Sequence, residues 1–229
     1  ESGGRAAASH TGALAGSAEV FRAAARQSGV VTCGTVEELV DLGACLAYLP
    51  LPKGRRVAIV TNGGGPGVLA ADEVALNGLE LVDIPESLVL ALDELLPSFW
   101  SRRNPLDLVA AGFGDVGLRV IEQVTRCADV DAVLALNFLG VPSTSDDGRG
   151  RRPGGEFEGF STWEWSFLEL CSTLMEETGK PIINVPDHPV QGVPPQSGRY
   201  SPVILSSPRA AARALDRMVW CEWHNGILQ

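Results

Sequence analysis

VAIVTNGGGPGVLAADEVALNG, Val57 to Gly78, is the stretch that decides the fold. VAIVTN is a short, continuous apolar run, and such runs suit central strands of a parallel sheet buried on both faces. GGGPG follows at once. Pro66 then stands near the first position of a helix, VLAADEVALNG, that ends at Gly78. Strand, glycine turn and helix in this order open a βα unit. The turn is also a candidate site. Glycines let backbone N–H groups approach an anion closely, and a helix N-terminus adds partial positive charge. Asn62, Gly63, Gly64, Gly65 and Gly67 are therefore candidates to cradle a phosphate or a carboxylate. The turn is not a P-loop, since no Lys-Ser/Thr pair follows its last glycine. It is not a dinucleotide fingerprint, since the order G-x-G-x-x-G is missing and Pro66 stands where that motif needs a free N–H. A tight βα turn that binds nothing is the alternative.

Outward from this unit, strand and helix alternate. Downstream come LELVDI (79–84, strand), PESLVLALDELLP (85–97, helix), the loop NPLDLV (104–109), DVGLRVIEQVTRCA (115–128, helix) and DAVLALNFLG (131–140, strand). WEWSFLELCSTLMEETG (163–179) reads as a helix, KPIINVPD (180–187) as a buried strand, and VILSS (203–207) as a last strand element. Ser207 and Pro208 then open a helix, with Ser at the N-cap and Pro at its first position. Upstream, AEVFRAAARQ (18–27) favours helix and VVTC (30–33) is of strand type. Thr35 with Glu38 forms a capping box for EELVDLGACLAYL, which places Leu39, Leu42, Leu46 and Leu49 at helical spacing. The alternation predicts an α/β fold: a flavodoxin-like, Rossmann-type doubly wound parallel sheet with helices on both faces. PLPKGRR reads as an exposed linker, which divides the chain into residues 1–50 and 51–229. Two segments break the rhythm. Ser143 to Gly159 is charged and glycine-rich, and reads as a mobile excursion or a binding loop. His188 to Ser201 is proline-rich and reads as a connector.

The chain has 229 residues, 45% hydrophobic and 20% charged, with a formal charge of −10. A field of that sign repels phosphate backbones and anionic lipid, which argues against nucleic acid and membrane surfaces as partners. No apolar run approaches the ~20 residues of a spanning helix. There is no basic-then-apolar signal sequence, and the chain opens without Met in a Gly/Ala-rich loop. A processed chain or a piece of a longer one is the expectation. Cysteines 33, 45, 127, 171 and 221 are odd in number and without a CxxC pair. That spacing suits neither a disulfide framework nor a zinc site, so reduced thiols in a cytoplasmic protein and no metal centre are expected.

His10 stands in RAAASHTGALAGS, among small residues with hydroxyl neighbours Ser9 and Thr11 and with Gly12 beside it. Neutral imidazole is a competent nucleophile, and small surroundings leave room for a bulky group to dock on it. A phosphoryl group there would need N–H donors and a helix dipole, which GGGPG could supply. A capping or merely exposed histidine is the alternative.

SHTGALAG (9–16), GVV (29–31), TVEELVDL (35–42) and LPKGRRVAIVTNGGGPGVLAAD (51–72) occur in this order, followed by NPLDL (104–108) and SPRAAARALDRMVWCEW (207–223). Together they resemble the NDP-forming acyl-CoA synthetases, the ADP-forming acetyl-CoA synthetase relatives of succinyl-CoA synthetase. The resemblance implies that His10 is transiently phosphorylated. Acyl-CoA and phosphate give acyl phosphate, then phosphohistidine, and the phosphoryl group passes to ADP, or the reverse. It implies that Gly63, Gly64, Gly65 and Gly67 help to hold that group. It also marks Asn104 and Asp107 as loop contacts without an assigned role. Residues 1–50 would be the tail of a first ligase domain carrying the phosphohistidine loop, and 51–229 the next, flavodoxin-like one. CoA, ATP or ADP, and Mg2+ are implied for the complete enzyme, with CoA-binding and ATP-grasp domains or subunits as partners and a small acyl substrate. The sequence departs from the family in holding neither of those domains, nor most of the first ligase domain. The segment 142–165 is also longer and more polar than the family's. Turnover by this chain alone is therefore not expected. A non-catalytic anion-binding or assembly domain, and a flavin-type electron carrier suggested by fold only, are the competing readings.

Overall fold

The computed structural model describes residues 17–109, 111–141, 150–151, 157–196 and 198–227. His10 and its neighbours Ser9, Thr11 and Gly12 lie outside the described residues. The helices are α1 (Ala18–Gln27), α2 (Val36–Tyr48), α3 (Gly64–Leu76), α4 (Glu86–Asp93), α5 (Asp115–Arg126), α6 (Thr162–Thr178) and α7 (Pro208–Ile227). The strands are β1 (Arg56–Thr61), β2 (Glu80–Leu81), β3 (Leu106–Asp107), β4 (Ala132–Leu136), β5 (Gly150–Arg151), β6 (Phe157–Glu158), β7 (Ile182–Val185), β8 (Val190–Gln191) and β9 (Val203–Ile204).

The main sheet is parallel, in the order β2-β1-β4-β7-β9. β3 also lies beside β1. Arg56 and Val57 pair with β2, while Val60 and Thr61 pair with β3, so two short strands share one sheet position. Counting that position once, the order is that of the flavodoxin-like fold. β4 and the stretch Val57–Val60 of β1 are apolar and buried because helices cover both faces. α7 packs on both α2 and α3, and α4, α5 and α6 form a second group. The chain winds outward from β1 to β2 and β3, then crosses to β4 on the other side of β1. The crevice at the carboxyl ends of β1 and β4 is thus the topological switch point, where open α/β sheets hold ligands.

Several sequence readings change here. VVTC forms no strand. NPLDLV, read as a loop, contains β3. The excursion and the proline-rich connector meet, since β5 and β6 of the first join β8 of the second in a small three-stranded sheet. Leu42, Cys45 and Leu49 at α2 and its end pack in the same buried cluster as the sheet.

Local chemistry accounts for the element ends. Thr35 Oγ1 accepts from Glu38 N at 3.2 Å and opens α2. Ser161 and Glu164 form a capping box at α6. Glu164 is buried, and its carboxylate accepts from Gly140 N at 2.8 Å and Ser161 N at 2.7 Å, which ties the loop after β4 to α6. No disulfide links the cysteines. Burial pushes the Cys45 thiol up to about 12, which leaves it inert.

At the opposite end of β1, Arg56 grips Asp131 with two hydrogen bonds, of 3.0 and 2.9 Å, and the backbone N–H of Arg56 adds a third at 3.0 Å. Partial burial pushes the Asp131 carboxyl up, but these bonds outweigh it, and its pKa lies below the usual carboxylate value. A lowered folded-state pKa gives stability that is fully present above the unfolded value of about 3.9 and is lost as pH falls through the folded value. Urea titrations between about pH 6 and pH 3 should therefore show an acid-side loss of stability that is smaller in Asp131→Asn. An unchanged slope in that variant would remove Asp131 from the acid response.

Candidate functional site

The glycine turn lies at the switch point. Thr61 closes β1, and its hydroxyl donates to Gly63 O at 2.7 Å and accepts from Gly63 N at 3.3 Å. Gly63 is the N-cap of α3 and supplies no side-chain cap. Pro66 has no N–H, so the first turn of α3 offers the N–H groups of Gly64 and Gly65. Neither has a hydrogen-bond partner among the described residues. Unpaired donors at a helix N-terminus favour an anion.

The glycines differ in what they permit. A Cβ on Gly65 would meet nothing within 4 Å, so this face of the turn is open to an approaching group. A Cβ on Gly67 would come within 2.9 Å of Thr61 Cγ2 and 3.3 Å of Pro105 Cβ. Gly67 is thus needed for close packing of α3 on the end of β1, as well as standing in the candidate cradle. On Gly64 a Cβ would lie 3.0 Å from Asp107 Oδ2, and on Gly63 it would lie 3.7 Å from Asn137 Nδ2. The turn is therefore flanked by the ends of β3 and β4.

Asp107 faces the first turn of α3. Its Oδ1 accepts from Val109 N at 2.9 Å. Val109 is β-branched yet has φ of 49°, a conformation that costs about 1–3 kcal/mol and persists only where its surroundings impose it. Asn62 binds the same loop, its Oδ1 accepting from Gly112 N at 3.1 Å, while its own N–H donates to Leu136 O. Asn62 therefore positions the turn against the loop 107–112. Asn104, which the sequence placed among loop contacts, has another task. Its Oδ1 accepts from Ile59 N at 3.0 Å, and its Nδ2 donates to Val57 O at 2.8 Å and Val82 O at 3.1 Å. All of its bonds go to main chain at β1 and just after β2, ahead of the turn.

Asn137 was missed by the sequence reading. It follows β4 with φ of 62°, in the left-handed region that asparagine tolerates better than most residues. The signal was present as the first polar residue after the apolar run AVLAL.

The turn thus presents the unpaired N–H groups of Gly64 and Gly65 at the switch point, with the Asp107 carboxylate beside Gly64. A cavity of about 470 Å³ lies elsewhere, between α2 and α7, and is lined by both Glu37, Glu38 and Asp41 and by Arg209, Arg213 and Arg217. None of the glycine-turn residues lines it. Among the described residues there is no cluster of three or more His, Cys, Asp or Glu that could hold a metal, and no helix is long and apolar enough to cross a membrane.

Comparison with known proteins places these parts. Residues 1–46 match the family described as succinyl-CoA ligase like flavodoxin domain, and residues 57–121 match the Ligase-CoA domain. The alpha subunit of an ADP-forming acetate–CoA ligase II from Pyrococcus furiosus is 43% identical over 148 residues, which cover 63% of this chain and 32% of that subunit. An ADP-forming 4-hydroxybutyrate–CoA ligase from Nitrosopumilus maritimus is 35% identical over 134 residues, 58% of this chain and 19% of that protein. The fold matches a dinucleotide-forming acetyl-coenzyme A synthetase 1 of Ca. Korarchaeum cryptofilum, solved with phosphate and ADP. The TM-score is 0.70 at 26% identity, over 98% of this chain and 45% of that one. The chain thus spans about a third or less of the curated relatives it matches.

Proposed function

We infer, from a chain related to the NDP-forming acyl-CoA synthetases, that it supplies the phosphohistidine segment and one ligase domain of such an enzyme. The observation that carries this reading is the pair of unpartnered N–H groups, Gly64 and Gly65, at the switch point, in the same chain as SHTG. His10 accepts the phosphoryl group, and the first turn of α3 holds it. Residues 1–50 are then the tail of a first ligase domain, and 51–229 the second.

Acyl-CoA and inorganic phosphate exchange thiolate for phosphate, giving acyl phosphate and CoA. The imidazole of His10 takes the phosphoryl group and frees the carboxylate. ADP then takes it from His10 and becomes ATP; the reverse direction makes acyl-CoA. In this scheme the chain's own residues hold charge. Two N–H donors and the α3 dipole act on phosphoryl oxygens, and such fixed donors can contribute several kcal/mol to a transition state once the completing domains exclude water. The open side at Gly65 admits the group, while Asn62 fixes the turn against the neighbouring loop, in which Asp107 holds Val109 N. CoA, nucleotide and Mg2+ sites would lie in CoA-binding and ATP-grasp domains or subunits that complete the enzyme, in the cytoplasm.

The test is phosphate transfer in the complete enzyme. With acyl-CoA and labelled phosphate, or with ATP and Mg2+, an acid-labile and base-stable label is expected on the tryptic peptide Ala6–Arg22, which contains His10. Label confined to other peptides would overturn the assignment.

A further inference from the structure

We propose that Asn137 is a further residue of the phosphoryl site, and that its side-chain Nδ2–H donates to the phosphoryl group as that group passes between acyl phosphate and His10. The inference deepens the functional reading above and rests on it for the identity of the anion. The family match assigns Asn137 nothing, since it lies beyond residues 57–121.

Position is the first ground. The glycine turn follows β1, and β3 and β4 lie on either side of the end of that strand. Asp107 closes β3 and Asn137 directly follows β4, so the two flank the turn from opposite sides. A Cβ on Gly63 would lie 3.7 Å from Asn137 Nδ2, whereas one on Gly64 would lie 3.0 Å from Asp107 Oδ2. A carboxylate repels phosphoryl oxygens, while an amide N–H attracts them. The anion is therefore favoured on the β4 side of the turn, against Asn137.

Availability is the second. The Asn137 side chain makes no hydrogen bond among the described residues, and it is half-buried with neither polar atom sealed from solvent. Asn62, Asn77, Asn104 and Asn184 by contrast each spend the side chain on main-chain groups. The backbone around Asn137 is nevertheless fixed. Asn137 N donates to Val185 O at 2.9 Å, Asp187 N to Leu139 O at 2.8 Å, and Gly140 N to the Glu164 carboxylate at 2.8 Å. Phe138 is buried and stacks on Phe167, with ring centroids 4.9 Å apart. These ties hold Asn137 at φ of 62°. Glycine adopts that φ more readily, so the turn by itself does not require an amide. A donor fixed before charge arrives needs no reorganisation when it does.

Asn137 transfers no proton. A neutral imidazole nitrogen of His10 forms the P–N bond as the P–O bond to the acyl oxygen breaks. The electron pair of that bond leaves with the carboxylate, and the imidazole proton stays on the other ring nitrogen. The Asn137 N–H holds a phosphoryl oxygen through the transfer.

The experiment uses the complete enzyme with two variants. Asn137→Gly removes the amide and keeps the φ; Asn137→Asp keeps the shape and adds negative charge. At saturating acyl-CoA and phosphate, rapid-quench labelling of Ala6–Arg22 should slow by at least about tenfold in Asn137→Gly and by about 100-fold or more in Asn137→Asp. The melting temperature should stay unchanged, since the side chain has no hydrogen bond to lose. Labelling at the unsubstituted rate in either variant would overturn the proposal. So would a slowing matched in both variants by a lower melting temperature, which would make Asn137 a structural residue. In each of these cases the label still reaches Ala6–Arg22 and the functional reading stands. An unsubstituted enzyme that takes no label on that peptide would overturn the functional reading, and this inference with it.

Discussion

Asn104→Leu is expected to lower the free energy of unfolding by roughly 2–6 kcal/mol, enough at the upper end to leave a marginal domain largely unfolded. The side chain is nearly isosteric, so the loss is not one of volume. Asn104 satisfies Ile59 N, Val57 O and Val82 O, and all three of those residues are buried. Val57 O keeps the Val82 N–H at 3.1 Å, but leucine leaves Ile59 N and Val82 O without the amide, at about 1–3 kcal/mol each, in the segment where β1 parts from β2 and takes up β3. Asn104→Asp should be no better, since a carboxylate would then face two carbonyl oxygens. Urea unfolding followed by circular dichroism measures the effect. A loss below about 1 kcal/mol would show that water replaces the amide, and that the tie is dispensable.

Asn104 also shows where sequence reading ran short. A polar residue near a glycine turn reads as a ligand contact, because spacing along the chain does not show which strands a side chain spans. The βα unit itself was legible: a run of four apolar residues, a glycine turn and a helix ended by glycine admit few other arrangements. β3 was not, since two residues carry no periodicity, and Leu106–Asp107 is a strand only because the end of β1 has a vacant side. Val30–Cys33 failed the other way. Its pattern is that of a strand, but a strand needs a neighbour, and the described residues offer none. The glycines were read as one group, yet only coordinates separate Gly65, with open space, from Gly67, wedged against Thr61 and Pro105.

That separation gives the second large effect. In the complete enzyme, His10→Asn should abolish the phosphate label on Ala6–Arg22, because no acceptor nitrogen of the required basicity remains. Gly65→Asp should leave the chain folded, since its Cβ meets no atom within 4 Å and Gly65 has no positive φ. It should nevertheless slow phosphoryl transfer by about 100-fold or more, by placing a carboxylate where the phosphoryl oxygens are held. Gly65→Ala serves as the control for bulk alone and should fall between the unsubstituted enzyme and Gly65→Asp. Gly67→Ala should act differently: its Cβ would press on the Thr61 methyl group, so stability is expected to fall together with activity. Rapid-quench labelling beside thermal melting separates these cases. Normal labelling kinetics in Gly65→Asp would remove the turn from catalysis. Phosphate held at Gly64 and Gly65 in a complete enzyme whose His10 takes no label would instead identify a binding module, in which the cradle is retained and the chemistry is not.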